Sequence, residues 1–326
     1  MRAAVTLLLS VLLLSGCEYK DLCYDHNHEE NYNVILKLLL KLELGLELDL
    51  EVNEEDHTKI IAPEYMKVCF YGPEDGKLKN TEFVTGEGGP LHTAPGTYDM
   101  VVYSFGTEYI QIRGEGDVNT LEAFTSDITA TKAHALSVFT RAGEEEPQGP
   151  IIYTPDHLLV AHKDIVIPPF SNEETVITLT ATASTIVETY SFEVRSVVGV
   201  EYISSVEAFV TNQARSSFFG RGEVSTEPAT LSFPVGVDRE KGRLHTTFNT
   251  FGKLPGESHS YLHILILDTD GKEYHISTDI TDQFEKPDHH IIIEEEVDIP
   301  KPQGPGGGIA PTVDQWEEVE NDVNIG

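Results

Sequence analysis

The strongest constraint on the fold is an alternation of apolar and polar residues between positions 34 and 52. Every even position there is Leu or Val, and most odd positions are Lys, Glu or Asp. A helix would spread these leucines around its surface, whereas the two-residue period of a strand places them on one face. We therefore predict a strand with its even-numbered side chains buried. Fully extended, this stretch would span about 60 Å, so we also predict a break near Gly45.

Shorter segments of the same kind follow along the chain, separated by Gly, Pro and Asp-Gly turns. Asp270-Gly271, between two such segments, is typical of a hairpin turn. Residues 201–210 fit either a strand or a short helix. Regularly spaced strands with turn residues between them predict an all-β protein built from β-sandwiches. The other predicted strands cover residues 66–70, 97–105, 109–112, 156–167, 175–183, 186–197, 261–267, 272–277 and 290–297.

The length of 326 residues suits two domains. We predict an N-terminal β-sandwich over residues 32–168 and a C-terminal β-sandwich over residues 169–300, with the boundary at a pair of prolines. A glycine-rich linker then leads into a flexible acidic tail within residues 301–326. The formal net charge of −33 repels phosphate backbones, which excludes nucleic acid as a partner.

The N-terminus predicts export and a lipid anchor. Residues 1–16 have a basic start and an apolar run that is too short to span a bilayer, as in a secretory signal peptide. The run ends in Leu14-Ser15-Gly16-Cys17, which resembles a lipobox. We predict that residues 1–16 are a lipoprotein signal peptide, that Cys17 is acylated, and that residues 17–31 form a spacer. The partner of Cys17 is then outer-membrane lipid, with the protein exposed at the cell surface. The alternative is an ordinary signal peptide with a chance cysteine.

Motifs for catalysis are incomplete throughout the chain. The glycines around Glu115 lack the third glycine of a dinucleotide loop, and the Gly72–Lys77 stretch is one residue short of a P-loop. We predict no enzyme activity, no catalytic residues and no cofactor. His26 and His28 stand among carboxylates that could ligate a metal, but a solvated acidic spacer without preformed geometry explains them better, so we predict no metal site.

Two cysteines remain after lipidation, Cys23 and Cys69. Because an exported protein meets an oxidising environment, they could form a disulfide; the alternative is two free thiols. Cys69 alternates with Met66, Val68 and Phe70, which places it on the polar face of its strand. We therefore expect its side chain to be accessible.

Several segments resemble a known family. They are Asp21-Leu22-Cys23-Tyr24-Asp25-His26 after the lipobox, Phe251-Gly252 to Pro255-Gly256, Asp-Ile-Thr-Asp-Gln at 279–283, and the acidic tail with Trp316. Together they resemble an uncharacterised lipoprotein family of Bacteroidales, a domain of unknown function within the fimbrillin superfamily and close to its FimB-like anchor and minor subunits. The resemblance implies two tandem transthyretin-like β-sandwich domains, fimbrial subunits as partners, and a role in anchoring or assembling fimbriae. We expect such a protein to act by β-strand addition.

In the resembling superfamily, polymer subunits lose their first strand to an arginine-specific protease. This chain has no arginine between Arg2 and Arg113. The resemblance therefore implies that the first strand stays in place, as in a base anchor. The alternative function is a solitary surface lipoprotein that binds glycan or a host protein. Exposed aromatic residues on one sandwich face would favour the glycan binder, and an unpaired hydrophobic groove would favour the fimbrial subunit.

Overall fold

A computed structural model describes residues 34–44, 60–128, 149–169, 175–256 and 259–302. Over these ranges the protein is nearly all β, which confirms the predicted all-β class; the N-terminal unit, predicted as a sandwich, is a closed sheet. The exceptions are two single 3-10 turns (Val118–Thr120 and Val200–Tyr202) and one helical turn, α1 (Thr281–Phe284). None of the helices described is long and apolar enough to cross a membrane. The strands are β1 (Val34–Leu42), β2 (Tyr65–Tyr71), β3 (Leu78–Thr85), β4 (Gly88–Leu91), β5 (Gly96–Ser104), β6 (Ile110–Arg113), β7 (Glu122–Thr125), β8 (Ile151–Tyr153), β9 (Leu159–Ile167), β10 (Thr175–Thr185), β11 (Glu188–Val194), β12 (Val197–Val198), β13 (Ile203–Ala214), β14 (Ser216–Phe218), β15 (Glu223–Val224), β16 (Pro228–Pro234), β17 (Gly236–Asp238), β18 (Arg243–Thr250), β19 (Tyr261–Asp268), β20 (Glu273–Asp279), β21 (His290–Ile293) and β22 (Val297–Asp298).

The N-terminal unit is a closed sheet in the order β1-β10-β9-β5-β2-β3-β4, with β4 returning to β1. Strand β1 runs parallel to β10 and antiparallel to β4. Its Leu36 and Leu38 side chains are buried in the core that the sheet encloses, together with Met66, Val68 and Phe70 of β2. Apolar side chains from every strand of the circuit, β3 and β4 included, contribute to this core.

The C-terminal unit is a sandwich of two sheets. One has the order β20-β19-β13-β16-β8 and the other β17-β18-β11-β21. Side chains from both sheets form one buried cluster, in which the Phe233 and Phe248 rings stack with centroids 4.5 Å apart. The hairpin predicted at Asp270-Gly271 joins β19 to β20. Here Asp268 Oδ1 accepts hydrogen bonds from the backbone N–H groups of Asp270 and Lys272.

A third cluster of buried residues joins the two units. The small sheet β15-β14-β7-β6 combines strands from both halves of the chain and packs against the outer faces of β2, β5 and β9. Tyr71, Tyr103 and Phe219 are fully buried within this cluster. The units therefore meet through a continuous core.

The strand pairings correct the predicted division at residue 168. β10, beyond the proline pair, belongs to the N-terminal closed sheet, whereas β8, before it, pairs with β16 in the C-terminal sandwich. Pro168 and Pro169 end β9 and lead back into the same sheet. The error has a physical cause, since prolines report where a strand stops and carry no information about which strand it pairs with.

The predicted alternation is confirmed at Leu36 and Leu38, whereas Leu40 and Leu42 are half-buried, and Leu44, beyond the end of β1, is 38% exposed. Leu36 and Leu38 are 2% and 0% exposed, whereas Ile35 and Leu39 on the other face are 42% and 41% exposed. The break predicted near Gly45, the signal peptide, the spacer with His26 and His28, and tail residues 303–326 all lie outside the described residues. Residues 201–210 resolve into a 3-10 turn followed by β13.

We predict that the two faces of β1 respond oppositely to a new charge. Leu38→Asp places a carboxylate without a partner in the core, which should lower the free energy of unfolding by about 3–5 kcal/mol. Lys37→Asp, one residue earlier on the exposed face, should change it by less than about 0.5 kcal/mol. Urea unfolding followed by circular dichroism measures both. Equal losses for the two variants would contradict the strand assignment.

Candidate functional site

Strand β1 has a neighbouring strand on each side in the N-terminal sheet. All nine residues of β1 pair with β10, and residues 36–39 pair with β4 on the other side. Gly88 makes the second pairing possible, because a Cβ at this position would lie 2.1 Å from the carbonyl oxygen of Leu38. A foreign strand could enter this part of the sheet only if β1 left it.

The edges of the C-terminal sandwich are protected to different degrees. Edge strand β8 is covered by the preceding segment, in which Ile128 N donates to Ile151 O at 2.8 Å. Edge strand β21 is covered by the side chain of Gln283, whose Oε1 accepts from Ile292 N and whose Nε2 donates to Ile292 O. β17 spans only three residues. β20 spans seven residues in uninterrupted register with β19, and no described strand pairs with its other side.

An aromatic patch, which we define as Tyr65, Phe83 and Phe105, lies on the outer surface of the N-terminal unit. These side chains are 48%, 59% and 44% exposed, and the Phe83 and Phe105 rings meet edge to face at 5.5 Å. Phe105 is also one wall of a cavity of about 490 Å³. Other residues lining this cavity are Ile61, Glu64, Glu108, Asp156 and His157. The Asp156 carboxylate accepts a hydrogen bond from Tyr109 N at 2.5 Å.

An ion pair with a buried carboxylate lies in the small sheet that joins the two units. Glu122 on β7 accepts hydrogen bonds from Arg113 Nε and Nη2, at 2.5 and 2.8 Å, and from Ser216 Oγ at 2.6 Å. Burial raises the pKa of Glu122, but the hydrogen bonds from Arg113 and Ser216 outweigh it and hold that pKa below its usual value. These contacts stabilise the junction between strands that are far apart in sequence.

A second carboxylate at the junction is Glu115, which sequence reasoning considered only as part of an incomplete nucleotide loop. Its Oε1 accepts from Lys67 Nζ at 2.5 Å and from the Tyr103 hydroxyl, and its backbone carbonyl accepts from the Tyr71 hydroxyl at 3.0 Å. Burial raises the pKa of Glu115, and the bonds from Lys67 and Tyr103 lower it further than burial raises it. The sequence offered no signal for this cluster, because its members lie up to 48 residues apart in the chain and meet only where the loop after β6 packs against β2 and β5.

Cys69 corrects the expectation of an accessible thiol. Its side chain is fully buried in the cluster that joins the units, with Sγ 3.9 Å from Thr81 Oγ1, and no other cysteine lies within the described residues. Burial raises the pKa of the thiol. The alternation identified the outer face of β2 correctly, but that face is covered by the small sheet. Cys23 and the predicted lipidation site Cys17 lie outside the described residues, so the proposed pairing with Cys23 stays a prediction.

Within the described ranges, no group of three or more His, Cys, Asp or Glu side chains could hold a metal ion. The polar clusters at Glu115 and Glu122 are instead saturated by cations and hydroxyl groups of the protein itself. Taken together, the described surface offers two places for a partner: the outer edge of β20, and the aromatic patch with its cavity.

A domain of unknown function, DUF5119, matches residues 46–234, more than half of the chain. This chain belongs to the DUF5119 family. The predicted resemblance to an uncharacterised family that carries a domain of unknown function is thereby confirmed.

Similar proteins agree in fold. A Bacteroides ovatus protein named "Putative fimbrium anchoring subunit Fim4B" is 24% identical over 353 aligned positions, which cover 97% of this chain and 96% of that protein. A "putative adhesin" of B. ovatus, known from its crystal structure, is 22% identical with a TM-score of 0.56, covering 82% of this chain and 94% of its own. A structure from Bacteroides thetaiotaomicron described among polysaccharide binding proteins (DUF1812) is 10% identical with a TM-score of 0.50, covering 81% and 92%.

We predict that neutralising Glu122 lowers the free energy of unfolding by an amount that depends on pH. Glu122→Gln removes the negative charge from a buried side chain that accepts hydrogen bonds from Arg113 and Ser216, which should cost about 1–3 kcal/mol of unfolding free energy at pH 7. Because the folded-state pKa of Glu122 is lowered, its stabilisation is complete above the unfolded value near 4.5 and is lost as pH falls through the folded pKa. The difference between wild type and variant should therefore shrink below about pH 4.5.

Urea unfolding of both proteins between pH 3 and pH 8 measures this difference. Glu227→Gln is the matched control, because Glu227 is an exposed carboxylate whose contact with Arg215 Nε is long, at 4.0 Å. A Glu122→Gln loss that stays constant over the whole pH range would contradict the assigned role of the charge.

Proposed function

We propose that this chain is a fimbria-associated structural protein of the cell surface, held to the outer membrane by lipid on Cys17. Support comes from the alignment with the B. ovatus relative, which spans almost the whole of both chains and whose name assigns that protein to fimbrial anchoring. The proposed role is mechanical and involves neither catalysis nor a cofactor.

The observation that carries the anchor role is the position of β1. Its Leu36 and Leu38 side chains are fully buried, and its backbone is paired on both sides. No arginine occurs between Arg2 and Arg113, so no arginine-specific cleavage can release this strand. A subunit whose N-terminal sheet stays closed cannot accept a strand there, which suits the end of a fibre and not its repeating shaft.

The proposed mechanism of attachment is β-strand addition. An extended segment of a fimbrial subunit would add to an edge of this chain, with main-chain hydrogen bonds supplying affinity and alternate side chains setting the register. Because the N-terminal sheet is closed, the addition takes place on the C-terminal unit.

We predict that Cys17→Ala separates fimbriae from the cell. The mature wild-type protein should begin at Cys17, carry the mass of its acyl chains, and partition into detergent. The variant should lose that mass and the detergent partitioning, because without acyl chains an acidic protein has no attraction to an anionic membrane surface. Intact-mass spectrometry, N-terminal sequencing and the amount of fimbrial protein shed into the medium measure these effects.

Cys23→Ala is the matched control, because it removes a cysteine of the same predicted spacer that is not in the lipobox, and it should leave attachment unchanged. A mature N-terminus beyond residue 53 would contradict retention of the first strand. Fimbriae that stay on cells carrying Cys17→Ala would contradict the anchor.

A second candidate function, binding of a neutral glycan, is favoured by the aromatic patch. Exposed aromatic rings beside a cavity with carboxylates at its rim are suited to stacking on sugar rings while accepting hydrogen bonds from their hydroxyls. Glu64, Glu108 and Asp156 around the cavity would repel acidic sugars. This function would be compatible with a surface location whether or not the chain joins a fimbria.

We predict for this candidate that Phe83→Ala and Phe105→Ala abolish retardation in gels containing soluble starch, xylan or mannan. Both side chains are exposed, so the variants should keep the wild-type melting temperature within about 2 °C. Val166→Ala, which alters a side chain that is 69% exposed on β9 outside the patch, is the control. Wild-type protein that none of these polysaccharides retards, or patch variants retarded as strongly as wild type, would exclude the glycan role.

A further inference from the structure

The outer edge of β20 has backbone groups that point away from the sheet. Two hydrogen bonds fix this orientation: Asp268 N donates to Lys272 O at 3.0 Å, and Ile280 N donates to Ser260 O at 2.9 Å. Between them the register is unbroken, so hydrogen-bonded pairs recur at every second residue and fall on the even-numbered residues of β20. Tyr261 N agrees with this phase, because it donates to Thr211 Oγ1 on the far side of β19.

It follows that the odd-numbered residues of β20, among them Glu273, Ser277 and Asp279, direct their N–H and C=O groups outward. The strand has no proline and no bulge. These are two of the devices by which proteins prevent an edge from pairing with another chain. Neither Gln283, which covers the edge of β21, nor any strand that the structure describes occupies this position on β20.

The core side of β20 is also incompletely covered. Tyr274 and Ile276 pack against the main cluster of the sandwich but are only partly buried, unlike their neighbours Ile264 and Ile266 on β19, which are 1% and 0% exposed. Thr278 Oγ1 is buried without a hydrogen-bond partner among the described residues. An additional strand would cover the two apolar side chains.

The charges on β20 disfavour pairing with a second copy of itself. In an antiparallel pair that overlaps fully and is centred on Ile276, Glu273 of one copy would face Asp279 of the other. Like charges directly opposite each other are destabilising. An acidic segment such as residues 309–326 would meet the same repulsion. The chemistry therefore favours a foreign strand with a basic residue near Glu273.

We infer that the outer edge of β20 is the acceptor for an extended segment of a different protein. This segment has apolar side chains at alternate positions toward the core and a basic residue opposite Glu273. The inference rests on the proposed fimbrial role and names the surface at which a fimbrial subunit joins. The added strand pairs with β20 through the outward N–H and C=O groups of the odd-numbered residues of β20. The apolar side chains of the added strand extend the core beyond Tyr274 and Ile276.

The first test is amide hydrogen exchange at single-residue resolution on the full acylated chain in detergent micelles. Without a partner, the Ser277 amide should exchange faster than the Ile276 amide, which is bonded to β19. Fimbriae sheared from the cells that produce the protein are the probe. Their addition should slow exchange at Ser277 by about tenfold or more, the factor expected when one additional hydrogen bond has to open.

The second test is Ser277→Pro, which removes an outward N–H and no bond to β19. Proline is tolerated on edge strands, so the variant should fold, as checked by circular dichroism. It should bind the sheared fimbriae about tenfold more weakly than wild type. Ser277→Ala is the matched control, because it loses the same hydroxyl, which bonds His263 Nδ1, but keeps the N–H. Its binding should equal that of wild type.

If Ser277→Pro does not fold, Glu273→Lys is the alternative test. This variant keeps every backbone hydrogen bond of β20 and repels a basic residue on the partner, so it should bind the fimbriae more weakly than wild type. Glu273→Gln should bind with an affinity between those of wild type and Glu273→Lys. Two results would overturn the β20 site alone. In the first, fimbriae bind wild type but slow amide exchange at residues outside β20. In the second, fimbriae bind Ser277→Pro or Glu273→Lys as tightly as they bind wild type. Fimbriae that do not bind wild type at all overturn the fimbrial role and this partner together.

Discussion

Backbone hydrogen bonding of β1 on both of its edges is the interaction on which the N-terminal unit depends. The strand closes the circuit between β10 and β4, and its buried leucines occupy the middle of the enclosed core. Each such side chain contributes about 1.5–3 kcal/mol by burial, and the paired backbone avoids the cost of unsatisfied polar groups. Without β1 the sheet would have two open edges and an apolar slot between them. Whether this strand stays in the chain therefore determines which part of the molecule can accept a partner.

The two units are joined by a core and not by a flexible linker. Aromatic residues of β2 and β5 pack on the small sheet formed from both halves of the chain, and the carboxylates of Glu115 and Glu122 lie at this junction. Each carboxylate is held by a cation and by a hydroxyl group of the protein. Paired in this way, the Glu122 carboxylate can be buried without the penalty of an isolated ion, and a pull on one unit is passed to the other through packed side chains. This is a suitable property for a protein proposed to hold a fibre.

Protection of strand edges is uneven in the C-terminal unit. A side-chain amide covers β21, a neighbouring segment covers β8, and β17 is short. β20 is longer and regular, with partly buried apolar side chains on the core side and a carboxylate at each end. Exposed edges promote aggregation unless charge or geometry prevents it. On β20 the charge disfavours self-pairing while leaving the backbone groups available, which fits an edge that serves one kind of partner.

The sequence alone determined the all-β class, the position and facing of β1, the hairpin at Asp270-Gly271 and the family resemblance. These depend on local period and turn chemistry, which are properties of neighbouring residues. Tertiary structure decided the rest. It buried Cys69 on a face that alternation marks as polar, because the small sheet packs there. It assigned β10 to the N-terminal sheet, and it assembled the Glu115 and Glu122 clusters and left β20 at an edge. Strand pairing and layer packing join residues far apart in sequence, and no local pattern specifies which distant strand will be the neighbour.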